Sequence, residues 1–109
     1  SDFSFGKYKI TNIEASNCGD KAISVGENSE MIITNFKVSE TILGLASKDN
    51  SKTYVKKFDG NKVNECVAVY KKKQEFDGGH LSIDEFNCKN YKNKINKDDL
   101  STIIIKNDI

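Results

Sequence analysis

Apolar residues occur in short alternating bursts along this chain, with polar residues between them. Each burst places two apolar side chains two positions apart, as in Ile23/Val25, Met31/Ile33, Val67/Val69 and Leu81/Ile83. This alternation is typical of a β-strand with one buried face, and no window shows a sustained helical period. Clusters of Asn, Asp, Gly and Ser separate the bursts at 17–20, 26–29, 48–51 and 59–61, and such clusters favour turns. The pattern therefore predicts an all-β chain of short strands and tight turns.

The bursts repeat with a period of about 22 residues. Segments 21–29 and 43–51 align at this offset, while an upstream copy that begins at Ile10 needs an offset of 23. A looser copy begins at Ile83 after an insertion, at an offset of 28. We therefore predict a single domain over residues 1–109 with about four coils of roughly 22 residues, at approximately 7–29, 30–51, 52–79 and 80–105.

One coil of this length cannot bury its own apolar face, so we expect the coils to stack about 4.8 Å apart. Stacking would align equivalent side chains in three inward ladders: Ile10, Ile33, Val55 and Ile83; Ile13, Phe36, Phe58 and Phe86; and Ile23, Leu45 and Val67. The pairs Asn12/Asn35 and Asn28/Asn50 also share a register, which predicts hydrogen-bonded amide ladders. The leucine-rich frame and the strict six-residue period of other solenoids are absent. These observations favour a right-handed parallel β-helix.

Composition and charge narrow the classes of function. The net charge is +1, and all 17 basic residues are Lys, so the bidentate recognition of guanine or phosphate by Arg is missing. We therefore expect no nucleic-acid partner. No apolar run approaches the roughly 20 residues of a membrane-spanning helix, so we expect no membrane insertion.

The three cysteines, Cys18, Cys66 and Cys88, form no closely spaced pair. A single histidine does not complete a zinc site with them. The interpretation that we favour from the sequence is that they are buried free thiols that pack as small apolar groups, and a bridge between Cys66 and Cys88 is the alternative.

The insertion between the third and fourth coils, residues 70–80, is the candidate site. Loops that leave a solenoid are free of the stacking constraint and often bind ligands. Tyr70, Lys71 and Lys73 would stand on a groove wall, where an aromatic ring stacks on a sugar and ammonium groups meet carboxylates. His80 would act there as a base or lie at the surface. Alternatively, the whole insertion is a solvated turn in which Gly78-Gly79 reverses the direction of the chain.

Stacked acidic residues are the other candidate chemistry. Asp20, Glu27, Asp49 and Asp59 would bind calcium if the turns aligned them, but Lys71 occupies that register in the next coil. We therefore predict no metal, no cofactor and no catalytic residue.

Two segments, Asn17-Cys18-Gly19-Asp20-Lys21-Ala22-Ile23-Ser24-Val25-Gly26-Glu27-Asn28-Ser29 and Leu43-Gly44-Leu45-Ala46-Ser47-Lys48-Asp49-Asn50-Ser51, resemble repeats of right-handed parallel β-helix proteins of the pectate-lyase-like superfamily. A third segment, 68–76, resembles them too, and the likeness covers roughly residues 7–105. These segments are similar to the C-terminal coils of longer bacterial β-helix proteins. Enzymes of that superfamily cleave or epimerise acidic polysaccharides with a basic residue and calcium-binding acids. This chain departs from them, because it has no Arg and no cluster of Asp on successive coils.

The sequence thus favours a non-catalytic module, a scaffold or a glycan-contacting surface in a larger extracellular or envelope protein, with a polysaccharide as the expected partner. A fragment of a polysaccharide lyase or epimerase is the first alternative. A self-assembling structural module, with homo-oligomers formed end to end or through open edges, is the second.

Overall fold

The computed structural model describes residues 2–17 and 19–109, and strands dominate it. The strands are β1 (Asp2–Ser4), β2 (Lys7–Ser16), β3 (Lys21–Gly26), β4 (Glu30–Lys48), β5 (Lys52–Tyr70), β6 (His80–Lys89), β7 (Asn93–Lys97) and β8 (Thr102–Asp108). Among these residues there is no helix with the length and apolar character needed to cross a bilayer.

All pairings between these strands are parallel, and each turn of the chain stacks on the turn before it. The first half of each turn forms one face, in the order β2, β4, β5, β6 and β8, and the second half forms another, in the order β1, β3, β4, β5 and β7. The long strands β4 and β5 bend and contribute to both faces. The result is the predicted all-β parallel solenoid, with about five turns. The turn count exceeds the predicted four because β1 and β8 add partial turns at the two ends.

The three predicted ladders are confirmed in register. The first aligns Ile10, Ile33, Val55 and Ile83 and continues to Ile105; the second aligns Ile13, Phe36, Phe58 and Phe86; the third aligns Ile23, Leu45 and Val67 and continues to Ile95. The rings of Phe36, Phe58 and Phe86 are fully buried and meet edge to face, with centroids 5.1 and 5.0 Å apart. Burial of such rings is among the largest apolar contributions to stability, about 2 to 3 kcal/mol each.

Charged residues cover the C-terminal end of the phenylalanine ladder. Asp108 occupies the position above Phe86, where another apolar side chain would be expected. Lys94 forms an ion pair with Asp108, and its ammonium lies 5.5 Å from the centre of the Phe86 ring. A cation over an aromatic face is favourable, and the carboxylate of Asp108 is neutralised by Lys94. This pair therefore covers the end of the ladder without placing an unpaired charge on the Phe86 ring.

Cys66 and Cys88 form a disulfide bond between β5 and β6, so the free-thiol interpretation was wrong for these two residues and the alternative holds. The register of the strands does not predict this bridge, because Cys88 stacks on Gly60 and not on Cys66. Gly60 has no side chain, and a Cβ there would lie 2.8 Å from Cys88 Sγ, so this glycine makes room for the bridge. Cys18 lies outside the described residues.

Both predicted amide ladders are present. Asn35 Nδ2 donates to Asn12 Oδ1 at 3.0 Å, and Asn50 Nδ2 donates to Asn28 Oδ1 at 2.7 Å. These bonds run along the stacking direction and connect successive turns on the surface, as the shared register predicts.

Candidate binding groove

A groove of about 530 Å³ runs along the outside of the first face and crosses all five of its strands. Its floor includes one outward position of successive turns, occupied by Lys9, Ile32, Tyr54, Ser82 and Ile104. Ile32 is 45% and Ile104 62% exposed, which is unusual for outward positions of a solvated sheet. Ile32, Tyr54 and Ile104 thus form an apolar strip on the floor, with Lys9 at one end and Ser82 between Tyr54 and Ile104.

Tyr54 is held in place by a neighbour on the next turn. Its phenol donates a short hydrogen bond to Asp84 Oδ2, and Lys106 Nζ lies 3.5 Å from Asp84 Oδ1. The hydrogen bond to Asp84, together with burial, raises the pKa of Tyr54 above its ordinary value of 10.0. The phenol therefore stays protonated at neutral pH, and the tyrosine presents its ring to the groove while its hydroxyl is engaged.

Polar, titratable residues form one border of the groove, which we call the ridge: Lys7, Glu30, Lys52 and His80, one from each of four successive turns. Lys7 Nζ lies 3.5 Å from Glu30 Oε2 in an exposed pair, which contributes little to stability. With Lys9 on the floor, the groove carries three ammonium groups and one carboxylate. An anionic ligand therefore meets a net positive surface.

The structure separates the four residues predicted as a site. His80 lies on the ridge, and its Nδ1 is 2.7 Å from Thr102 Oγ1. Tyr70 packs against the small cluster of Leu43, Ala46 and Ala68. Lys71 and Lys73 lie in the insertion, away from the residues that line the groove.

The insertion folds back along the corner of the solenoid. Asp49 is fully buried, and its Oδ1 accepts hydrogen bonds from the backbone N–H of Lys72 at 2.7 Å and of Lys73 at 2.9 Å. Lys73 Nζ pairs with Glu27 Oε1 at 2.7 Å, and the Phe76 ring meets the edge of Phe5 with centroids 6.5 Å apart. The insertion thus contacts three successive turns and acts as a strap.

The acidic residues considered for calcium do not gather. Among the described residues, no group of three or more His, Cys, Asp or Glu side chains is arranged to hold a metal ion. Glu27 and Asp49 instead take part in the contacts of the insertion, and Asp59 Oδ1 accepts a hydrogen bond from Asn87 at 3.3 Å.

The sequence contained a signal for the groove at outward positions, which the inward ladders do not include. Ile32 and Tyr54 stand 22 residues apart at outward positions, where the repeat otherwise places polar residues. An apolar residue at one outward position is common and carries no information. Ile32 and Tyr54 are in register on neighbouring turns, and Ile104 lies beyond Ser82 at the same position, so three of the five floor positions are apolar or aromatic.

Comparisons with protein-family models, with curated protein sequences and with solved structures found no match to this chain. Its assignment as a parallel β-solenoid therefore rests on strand pairing and register.

Proposed function

We propose that this chain is a non-catalytic module that holds an extended acidic glycan along the groove. The observation that carries the proposal is the apolar strip Ile32, Tyr54 and Ile104, bordered by the ammonium groups of Lys7, Lys9 and Lys52. A sugar ring offers a C–H face to an aromatic ring and hydroxyl or carboxylate groups at its edge. The groove crosses five strands, about 19 Å of stacking distance, which suits several consecutive sugar units better than one small molecule.

The arrangement of titratable groups favours binding over catalysis. A lyase or an epimerase needs a base within hydrogen-bond reach of the substrate and a group that stabilises the resulting carbanion. Two candidate bases on the ridge already have neighbours: His80 Nδ1 lies 2.7 Å from Thr102 Oγ1, and Glu30 Oε2 lies 3.5 Å from Lys7 Nζ. The lyase or epimerase fragment therefore remains the alternative.

The proposal extends to fold family and location. We propose right-handed coils of the pectate-lyase-like kind, from a bacterial protein at or outside the cell envelope. The disulfide bond supports an oxidising compartment, since such bonds persist mainly in secreted or envelope proteins.

Calorimetric titration with oligogalacturonates, and with neutral cello-oligosaccharides of equal length, tests the binding. We expect heat and saturation with the acidic series only, and an affinity that falls as salt rises because of charge screening. Tyr54→Ala should lower the affinity about tenfold or more, and Ile42→Ala, which truncates an exposed apolar residue outside the groove, should not. Flat traces with the acidic series, or equal effects of the two variants, would refute the proposal. Release of an unsaturated, ultraviolet-absorbing product would instead support the lyase alternative.

Self-association is a second candidate, favoured by the two outermost strands of the first face. Among the described residues β2 pairs only with β4, and β8 only with β6. If β8 of one molecule met β2 of another in the same register, Ile103 would stack on Tyr8, Ile105 on Ile10 and Asn107 on Asn12. Sedimentation velocity should then show a concentration-dependent dimer that Asn107→Lys weakens. A single monomer species over the whole concentration range would remove this candidate.

A further inference from the structure

A second depression of about 460 Å³ lies on the other side of the ridge. It shares Lys7, Glu30 and Lys52 with the groove and is otherwise lined by residues at the corner of the solenoid: Phe5, Gly6, Asn28, Ser29 and Asn50. We call this surface the corner shelf. The three charged side chains therefore face two concave surfaces, one on each flank.

Phe5 presents its ring on this shelf at a conformational cost. The side chain is 64% exposed, although burial would be favourable for a phenyl ring. Its φ of 51° lies in the left-handed region, which is rare for a bulky residue. The backbone N–H of Phe5 donates to Glu27 O at 2.9 Å, and the Phe76 ring of the insertion braces one edge. The aromatic ring is thus fixed at the surface without being covered.

The amide ladder of Asn28 and Asn50 lies beside this ring. Both side chains are exposed, and their one bond uses a single donor of Asn50 and a single acceptor of Asn28. A carboxamide offers two donors and accepts through two lone pairs, so most of the hydrogen-bonding capacity of this pair can face a ligand. A flat apolar ring beside two fixed amides matches a sugar, which has a C–H face and a rim of hydroxyl groups.

We propose that the corner shelf is a second sugar subsite, which takes a side branch of a glycan whose acidic main chain lies in the groove. Phe5 stacks on the branch sugar, the amides of Asn28 and Asn50 bond its hydroxyls, and the lysines of the ridge contact main-chain carboxylates between the two surfaces. The preferred ligand is therefore a branched acidic polysaccharide. This inference rests on the proposed function, because the branch reaches the shelf only from a main chain in the groove.

Two probes with one main chain separate the surfaces: oligogalacturonates, and oligogalacturonates that carry xylose branches. Calorimetry with wild-type protein should give at least about tenfold higher affinity for the branched probe. Phe5→Ala should remove this preference and leave binding of the linear probe unchanged, whereas Tyr54→Ala should weaken both. Phe5→Tyr, which keeps the ring face, should retain the preference, and Ile42→Ala serves as the exposed apolar control.

Equal affinity of wild type for the two probes, or a preference that survives Phe5→Ala, would overturn the subsite. If neither probe binds, the proposed function fails, and the shelf is tested alone by following the side-chain amide resonances of Asn28 and Asn50 in a titration with xylo-oligosaccharides. Saturable shifts that Phe5→Ala abolishes would support a sugar site at the shelf, and unchanged resonances would refute it.

Discussion

At the scale of single residues, the turns of this solenoid divide two tasks between different amino acids. The described left-handed backbone positions are all occupied by residues other than glycine, mostly Asn, Asp and Glu at the corners, such as Asn28 and Asn50. No described glycine has a positive φ. Glycine instead supplies space, most clearly at Gly78 and Gly79, where a Cβ would lie 2.3 Å from Leu100 O and 2.0 Å from Ser47 O. The sequence predicted turns at such residues but not this division of roles.

Gly79→Ala is therefore expected to destabilise the protein by about 2 kcal/mol or more, because neither the added methyl group nor the Ser47 carbonyl can move without disturbing the stack. Gly19→Ala is the matched control, since a Cβ there meets no atom of the described residues within 4 Å. Both substitutions reduce the entropy of the unfolded chain alike, so the difference between their free energies of unfolding reports the clash alone. Urea unfolding followed by circular dichroism measures it, and equal midpoints for the two variants would contradict the close approach.

At the scale of elements, ladder positions were predictable and the strap was not. Ile33, Val55 and Ile83 share an inward position, so apolar periodicity alone determines which strands pair and in which register. The insertion has no such periodicity. Its position depends on a buried carboxylate, Asp49, which bonds the backbone of Lys72 and Lys73, and no spacing rule reveals a side-chain contact of this kind.

Asp49→Ala should release the strap, because the N–H groups of Lys72 and Lys73 lose their charged acceptor, a loss of about 3 kcal/mol. Limited digestion with trypsin is a direct measurement, since the segment contains half-buried Lys71 and exposed Lys72 and Lys73. We expect cleavage there to accelerate at least about tenfold, with the other lysines unaffected. Asp20→Ala, at an exposed turn, should leave the rate unchanged, and an equal acceleration by both variants would show that the carboxylate does not hold the strap.

Asp98 connects the start of the strap, at Lys71, with the turn that contains Leu100 and Ser101. Its Oδ2 accepts from Lys71 N–H at 2.7 Å, and its Oδ1 accepts from the Ser101 hydroxyl at 2.6 Å and from Leu100 N–H at 3.2 Å. Burial would raise the pKa of this carboxyl, but those hydrogen bonds and nearby Lys97 outweigh it and hold the pKa below the ordinary 3.8. A depressed pKa in the folded state contributes stability that is present above pH 3.8 and is lost as pH falls through the folded value.

Asp98→Asn should therefore cost about 1 to 2 kcal/mol at neutral pH, because its NH2 group would face a donor, either Lys71 N–H or the Ser101 and Leu100 donors. The difference from wild type should shrink as pH falls below the ordinary pKa. Denaturant unfolding at several pH values tests both statements, with the exposed neighbour substitution Asp99→Asn as control. A difference that is constant over the acidic range would rule out this role for the Asp98 charge.

At the scale of the whole molecule, stability is a sum over stacked turns, since each turn contacts mainly its neighbours. The period of 22 residues was enough to predict this architecture. The groove was not predicted, because it is a property of five turns together and its members look unremarkable one by one. The free-thiol interpretation of Cys66 and Cys88 was wrong for a related reason: the bridge joins the first half of one turn to the second half of another, and register does not relate these two positions.

Reduction, or Cys66→Ser with Cys88→Ser, should lower the stability of the whole stack by about 3 kcal/mol, the value expected from the chain entropy of a loop closed across 22 residues. Thermal unfolding with and without reductant measures the loss. The double variant should lose its sensitivity to reductant. Peptide mapping of unreduced protein should recover the two cysteines as one linked fragment, and their recovery as separate alkylated peptides would contradict the bridge.

The strap also shows where this fold tolerates change. Between β5 and β6 the chain leaves the stack for extra residues and returns with Val55 over Ile83 and Phe58 over Phe86, so the detour does not alter the pairing on either side. The number of residues at this corner can therefore change without altering the register of the strands on either side. The corner is accordingly a graft point, where a foreign peptide that keeps Gly78 and Gly79 could be displayed on a rigid parallel scaffold next to the ridge.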